Sequence, residues 1–550
     1  MSALFGFWGP PDPALAAAMS TLLAHRGRHE VLEQTPYATV GVRADTVDGP
    51  TSVQPHRYGV GLIAMAGDPW NLSHDPDALR GPWVRAACDH ERLVLHRDAA
   101  GARSIAWGRL DERVLFASEP KAIARAPGFT RRLRPAALAQ YLSFSFVPER
   151  ESMIEGVYRL HAGERAEFRD GRMPTYSRWW HPESLEGSRA LSDDEWIEEF
   201  SHDFRAAVRC RGVGGATLSG GIDSSVVAAV LQETTGTPID TYTAHFGQGF
   251  PNELEEASLV ASHLKTRHHE VLVSPKAFVP HLKKAVWHLD DPIGDPVTIG
   301  NFALSLAMPE GGRIFNGEGG DPLFGGPKNL TMAMHHVYGG VDYSEGFRER
   351  AYLRSYMRAY TEVPRVLTPA LLETIDMKRD LEGVLTPFFV SERPESFLHR
   401  LLIINTRLKG AHLILPKVER MMAANRITPV SPLFDERMLE LSMAMPPRLK
   451  VHRAIEKVAL KRAFGHALPA TIVARKKSGM RVPVHHWFTG EMRRYARDIL
   501  SPRSLKASGL FCPERVKQWL DYDIEEGVGR YGLRLWMLVT FEVWRRTLLD

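Results

Sequence analysis

The run Ser219-Gly220-Gly221-Ile222-Asp223-Ser224-Ser225 holds the densest chemistry of the chain. Two adjacent glycines let backbone approach an anion closely, and three hydroxyls can donate hydrogen bonds to phosphate oxygens. A strand-like run, Ala216-Thr217-Leu218, precedes it and a helical pattern begins near Ser224. Free N–H groups and the positive end of a helix dipole would therefore face the same anion. Asp223 would repel phosphate unless a cation lay between them, which points to Mg²⁺. The plain alternative is a strand–turn–helix corner with a capping aspartate, and such a corner needs only one glycine and one small polar residue. No GxxxxGK[ST] loop occurs in the chain. A GxGxxG match, Gly527 to Gly532, follows the polar run Asp521 to Glu526 rather than a strand, so it reads as a turn between helices.

The elements that must position this loop are legible around it. Ser192 and Glu195 form a capping-box pair at a helix start. Trp196, Phe200, Phe204 and Val208 then make one apolar stripe. Further strands fit Thr241 to Phe246, His269 to Val273 and Arg313 to Asn316, with a helix over Glu253 to Leu264 between the first two. Strands alternating with helices predict a parallel, doubly wound sheet, with ligands beyond the carboxyl ends of its strands. From about residue 350 the pattern is mainly helical. Before Pro182 the chain is instead rich in short apolar runs bounded by Gly, Pro and Asp, such as Gly59 to Ala66, Arg92 to His96 and Arg113 to Ser118, which read as a β-rich unit. Trp179 to Ser188 loses all periodicity and reads as a linker. The expected units are 1–185 and 190–550.

Composition excludes several classes. The 550 residues are 44% hydrophobic and 24% charged, the balance of an ordinary globular chain rather than a disordered or fibrous one. The net charge is +4 and the basic runs are short, Arg131 to Arg134 and Arg475 to Lys477, which argues against nucleic-acid binding. No stretch approaches the about 18 apolar residues of a membrane span. Met1 to Met19 lacks a basic start and is broken by Pro10, Pro11 and Pro13, unlike a signal peptide. Cys88, Cys210 and Cys512 are far apart, without disulfide or zinc spacing. The expectation is a cytoplasmic, reduced protein. The histidine doublets at 268–269, 335–336 and 485–486 have neither HExxH spacing nor a partnering cysteine, so they read as ordinary structural histidines.

The Ser219–Ser225 run resembles the pyrophosphate-binding loop of ATP pyrophosphatases, and specifically that of the asparagine synthetase family. Asn316 to Gly326 resembles that family's second active-site segment. Lys417 to Met421 with Pro429 to Asp435, Glu456 to Phe464 and Arg475 to Met480 continue in the family's order, and Leu93 to Gly101 and Leu115 to Ile123 match its N-terminal half. The stretch between about Leu330 and Leu401 matches poorly. It carries the mostly basic cluster Arg348, Glu349, Arg350, Arg354 and Arg358, which would meet an acidic or peptide substrate or face water.

The resemblance implies an α/β protein: an N-terminal Ntn-hydrolase-like αββα sandwich and an ATP pyrophosphatase sheet with a mainly helical C-terminal part. It also implies activation of a carboxylate by ATP to an acyl-adenylate, with Mg²⁺ as cofactor, followed by attack of an amine. Asp223 and Asp321 would hold the metal. Ser219, Gly220, Gly221, Ser224 and Ser225 would hold the phosphates, and Leu218 and Gly317 would contact the adenosine. Lys457 would meet charge developing on the α-phosphate, the alternative being a solvated lysine on an amphipathic helix. Lys477 is a second phosphate candidate or part of a solvated face. Glu318 would orient or deprotonate the amine, or else cap a helix. Pro322 stands where the family usually has a carboxylate after the aspartate.

The N-terminal half departs further. Glutamine-using members rely on a cysteine at position 2 acting with its own α-amine, whereas this chain has Ser2. Leu23 to Arg28 keeps the arginine of the family's RGPD segment, Arg26, but loses Pro-Asp, and Ala66 to Asn71 replaces NGEIYN. A retained scaffold without glutaminase activity is expected. The implied function is a specialised amide ligase, similar to lasso-peptide macrocyclases or β-lactam synthetases; Gly317 to Gly326 fits the asparagine synthetase pattern better than the β-lactam type, which ranks a macrocyclase or another specialised amide ligase higher. The alternatives are an ammonia-dependent asparagine synthetase and a non-catalytic nucleotide-binding regulator. The partner would be an amino acid or a peptide, the peptide case bringing a peptide-presenting or protease partner.

Overall fold

Strand Ser2–Trp8 is buried along nearly its whole length because it lies in the middle of three layers. Leu4 points into the gap between two sheets with Val40, Leu62, Val84 and Phe116. Phe5 and Phe7 face the other way, toward Leu15 and Met19 of helix Pro13–Leu22. The period-2 alternation of a strand thus feeds two cores at once. In the computed structural model the described residues are all but 46–54, 59–60, 72, 74, 170, 326–344, 357, 454, 476–478 and 523–530.

Ser2–Trp8 pairs antiparallel with Ala38–Ala44 and Arg113–Ala117. His29–Thr35, Ala106–Leu110 and Val157–Arg159 complete this six-stranded sheet. Stacked on it is a second antiparallel sheet of six, running Thr175–Arg178, Glu164–Arg169, Arg92–Arg97, Trp83–Cys88, Gly61–Gly67 and His56–Tyr58.

The second half is built on a five-stranded parallel sheet, ordered Arg267–Leu272, Asp240–His245, Gly215–Thr217, Arg313–Phe315 and Thr428–Val430. Four of these strands lie within a few residues of the sequence expectation. The helix after the glycine loop starts at Ile222 rather than near Ser224, and the capping box at Ser192 is formed. The fifth strand lies within the mainly helical C-terminal part, where the sequence pattern did not mark it. It is three residues long and contains Pro429, so it shows no alternation to read. An edge position tolerates a residue that cannot donate to the ladder.

The linker segment is anchored by side chains. Trp179 to Ser188 lacks periodicity but is firmly held. Trp180 is buried and its indole N–H donates to Glu440 at 2.9 Å. Glu183 accepts from Arg407 at 2.7 Å, and Glu186 accepts from the N–H of Ser396 at 3.1 Å and pairs with His399 at 2.6 Å. Side chains hold this segment where no regular ladder does. Among the described residues no helix is long and apolar enough to cross a membrane.

Candidate active site

Two loops meet where the strand order of the parallel sheet reverses. Gly215–Thr217 and Arg313–Phe315 are paired neighbours, with Ala216 opposite Phe315, so the residues that follow each strand emerge side by side. This is the crevice in which doubly wound sheets place their ligands. The loops touch through bare backbone. A Cβ on Gly317 would lie 2.5 Å from the Ser224 nitrogen; the first loop is as tight on its other side, where a Cβ on Gly220, whose φ is +69°, would lie 2.7 Å from the nitrogen of Ala257 in helix Leu254–Leu264.

The glycine loop is pre-shaped by its own hydroxyls. Ser219 and Ser224 place their oxygens 3.0 Å apart; Ser224 Oγ also accepts the Ser219 N–H at 3.1 Å and donates to the Gly221 carbonyl at 3.1 Å. Helix Ile222–Thr235 begins here with Gly221 as its N-cap, a residue with no side chain to satisfy the first-turn N–H groups. Ser225 lies wholly enclosed within that first turn. The Leu218 N–H donates to Tyr242 at 2.9 Å and its carbonyl accepts from the Thr243 hydroxyl, so its backbone serves the sheet.

Lys457 closes the site. Its Nζ lies 2.5 Å from Asp223 and 2.6 Å from Asp321, drawing together one carboxylate from each loop. The lysine is 1% exposed and stands just before helix Val458–Phe464 with φ +58°. It is therefore not a solvated lysine on a helix face. A non-glycine residue in that conformation costs on the order of 1 kcal/mol, held here by the flanking charges. Asp321 lies in the first turn of the short helix Gly320–Phe324, where the buried Pro322 needs no donor. Apolar packing thus takes the place of the carboxylate usual at that position.

These residues fit Mg²⁺, which is commonly held by one or two carboxylates together with phosphates and water. Asp223 and Asp321 supply two carboxylates at one point. Gly320 keeps the space open, since a Cβ there would sit 2.1 Å from Asp223 Oδ1. Asp223 cannot swing aside without leaving Lys457. Gly320→Ala is therefore expected to weaken binding of a Mg²⁺-bound, non-hydrolysable ATP analogue by about tenfold or more, read by calorimetric titration, in line with the ~1–3 kcal/mol cost of overpacking.

Beyond Asp321, a second charged group surrounds Glu318. The Glu318 N–H donates to Asn316 at 3.1 Å, and its carboxylate lies 3.9 Å from Lys417, which in turn lies 3.0 Å from Asp295. Burial works to raise Asp295, but Lys417 and Arg358 hold its carboxyl well below the usual range. Burial likewise opposes charge on Lys417, yet Asp295 and Glu318 keep its ammonium above the ordinary value. Both stay ionised at neutral pH. Lys409, on the π-helical stretch Asn405–Ile414 packed against helix Gly320–Phe324, has its pKa lowered by burial; Asp321 opposes that, and Arg358 and Lys417 add to it. The sequence reading missed Asp295 and Lys409. Lys417 lies in the Lys417 to Met421 segment, but spacing gave no tie to a carboxylate 122 residues away. Lys477 lies outside the described residues, as do His335 and His336 and most of the Gly527 run. Among the described residues no group of three His, Cys, Asp or Glu side chains is arranged to hold a metal.

The start of the chain is enclosed as well. Ser2 is buried, with its Oγ accepting the Gly67 N–H at 2.9 Å. Arg26 is also buried and committed to carboxylates: Nε donates to Glu119, and the terminal nitrogens meet Glu419, one of them at 3.0 Å. Asp68, within the segment that replaces NGEIYN, is held by Arg313 of the parallel sheet.

Comparison with known proteins agrees with this geometry. The asparagine synthase family matches residues 197–546, and a glutamine amidotransferase domain matches residues 73–180. The asparagine synthetase [glutamine-hydrolyzing] 1 of Bacillus subtilis (strain 168) is 25% identical, over 85% of this chain and 77% of its own length. A putative asparagine synthetase [glutamine-hydrolyzing] of Mycobacterium tuberculosis (strain ATCC 25618 / H37Rv) is 27% identical, over 86% of this chain and 77% of its own length. The carboxyethyl-arginine beta-lactam-synthase of Streptomyces clavuligerus is 29% identical, over 59% of this chain and 68% of its own length. An amidotransferase-like two-sheet sandwich precedes an ATP-binding parallel sheet, and the chain belongs to the asparagine synthase family, enzymes that use ATP and Mg²⁺ to form carbon–nitrogen bonds.

Proposed function

We propose that residues 190–550 adenylate a carboxylate and pass it to an amine that does not come from glutamine, while residues 1–185 serve as a scaffold without glutaminase activity. One observation carries this reading. Position 2 holds a buried serine, and Arg26, the remnant of the RGPD segment, is consumed by Glu119 and Glu419. A hydroxyl is a far weaker nucleophile than a thiolate, and the Arg26 guanidinium is already taken up by carboxylates rather than presented to a glutamine.

Each remaining group then has a task. The carboxylate oxygen attacks the α-phosphorus of ATP, and the bond from that phosphorus to the bridging oxygen of pyrophosphate breaks. First-turn N–H groups after Gly221 and the loop hydroxyls would receive the phosphates. Asp223 and Asp321 would hold Mg²⁺, which offsets charge on the pyrophosphate. Lys457 presents a fixed ammonium to the equatorial oxygens of the α-phosphate. The amine nitrogen then attacks the acyl carbon, AMP leaves, and Glu318, steadied by Lys417, takes the proton from nitrogen.

The partner chemistry that fits is a specialised biosynthetic acid, an amino acid or a peptide, in the manner of a macrocyclase. The decisive assay is release of AMP and pyrophosphate from Mg-ATP with aspartate plus ammonium, aspartate plus glutamine, or candidate peptides. Glutamine is expected to yield no glutamate, and Ser2→Ala is expected to leave pyrophosphate release unchanged. Turnover driven by glutamine sinks the proposal. Efficient turnover with aspartate and ammonium alone would make the enzyme an ammonia-dependent asparagine synthetase.

A further inference from the structure

A cleft of about 460 Å³ opens between the antiparallel sandwich and the helical layer. Its size lies in the range of sites for small organic molecules. The sandwich contributes Tyr158, His161 and Arg178; the helical layer contributes Phe388, Arg407 and Leu408. None of the residues placed at the adenylation site lines it.

The charges in this cleft are not all spoken for. Its two glutamates, Glu149 and Glu151, turn to Arg134, at 3.0 and 3.8 Å. Arg150 is bound to Glu164, at 2.5 and 2.9 Å, and lies over the Tyr176 ring. Arg178 is exposed and forms no ion pair among the described residues. Arg407 is buried and spends one terminal nitrogen on Glu183 at 2.7 Å and on the Trp180 carbonyl at 3.5 Å, while its Nε has no hydrogen-bond partner. A buried guanidinium N–H without an acceptor is uncommon and calls for one. His161 adds no charge, because burial pushes its imidazole down to about 3, and it meets His412 at 3.2 Å. Beside these cations lie the apolar faces of Tyr158, Val384, Phe388 and Leu408.

We propose that this cleft binds a small amphipathic carboxylate, its anionic head between Arg178 and Arg407 and its apolar body against Tyr158, Phe388 and Leu408. Fork-shaped guanidiniums suit a planar carboxylate, and an aromatic or branched body fills the remaining wall. Arg407 and Leu408 belong to the π-helical stretch that next carries Lys409, so the ligand would lie one residue from a cation of the active-site surround.

The test uses 3-phenylpropionate and its neutral amide as probes in calorimetric titration of the full chain. Saturable binding of the acid is expected, with the amide weaker by about tenfold or more, the difference between a charged and a neutral partner. Arg178→Ala should weaken the acid by a similar factor without lowering Tm, since Arg178 supports no ion pair. Arg407→Met should abolish binding at a temperature where the variant remains folded. A saturating non-hydrolysable ATP analogue should leave the probe affinity unchanged. Any of three results overturns the proposal: no saturable binding, equal affinity for acid and amide, or unaltered affinity in Arg178→Ala. Displacement of the probe by the ATP analogue would assign it to the nucleotide site and overturn the proposal as well, without touching the adenylation reading.

Discussion

Replacing Lys457 with methionine is expected to lower the rate of adenylation by about 10²–10³-fold, the usual cost of removing one preorganised group from developing charge. The loss should fall mainly on kcat, because the ammonium faces oxygens whose charge grows as pyrophosphate departs. The substitution also leaves Asp223 and Asp321 together without the cation that now bridges them. Asp223 is the more vulnerable, at 8% side-chain exposure against 42% for Asp321. A lower Tm is therefore expected, restored in part by Mg²⁺. The measurement is pyrophosphate release with the acid that supports turnover, alongside circular dichroism to verify folding. A folded Lys457→Met enzyme that keeps a tenth of its activity would remove the lysine from the reaction.

Glu119→Gln is expected to be the most damaging change for stability. Glu119 is fully buried and meets Arg26, Lys121, His25 at 3.0 Å and Arg420 at 2.7 Å. Arg26 continues to Glu419, which also takes Arg103 at 2.7 Å, and Arg420 continues to Asp290 at 2.9 Å. The network joins the sandwich to the second half of the chain. Breaking a buried pair by removing one partner costs about 3–5 kcal/mol, because the cations left behind stay desolvated. The predicted readout is a fall in the calorimetric unfolding midpoint of Glu119→Gln, with Glu119→Gln/Arg26→Met recovering part of it. Equal midpoints for wild type and Glu119→Gln would contradict the network's role.

The same cluster sets an acid limit. Burial alone would raise these carboxyls, yet Arg26, His25, Lys121 and Arg420 hold Glu119 well below the usual range, and Arg26, Arg420 and Arg103 bring Glu419 down to about 2. A depressed carboxyl stabilises the folded form fully above its unfolded value and loses that contribution as pH falls through its folded value. For Glu419 the window runs from 4.5 down to about 2, and the contribution is on the order of 3 kcal/mol. Unfolding midpoints recorded across that window should fall steadily, and less steeply in Glu419→Gln.

The glycine- and serine-rich loop, the capped helix after residue 192 and the alternation of strands and helices are local properties, written in neighbouring residues. Gly220 and Gly221, the hydroxyls around them and the apolar stripe from Trp196 to Val208 needed nothing distant to be recognised. The sequence by itself therefore determined an ATP-binding, carbon–nitrogen bond-forming chain with Asp223, Asp321 and Lys457 as its candidate groups, together with a departure at Ser2. Only the tertiary structure decided where the linker is pinned, that a proline-containing edge strand completes the sheet, and that Arg26 is consumed by Glu119 and Glu419. It also brought Asp295 to Lys417 beside Glu318, and left Arg178 and Arg407 facing a cleft. All of these are pairings between residues tens to hundreds of positions apart. No periodicity records such a pairing, because its partner is selected by the packing of whole elements and by the cost of leaving a buried charge unmatched.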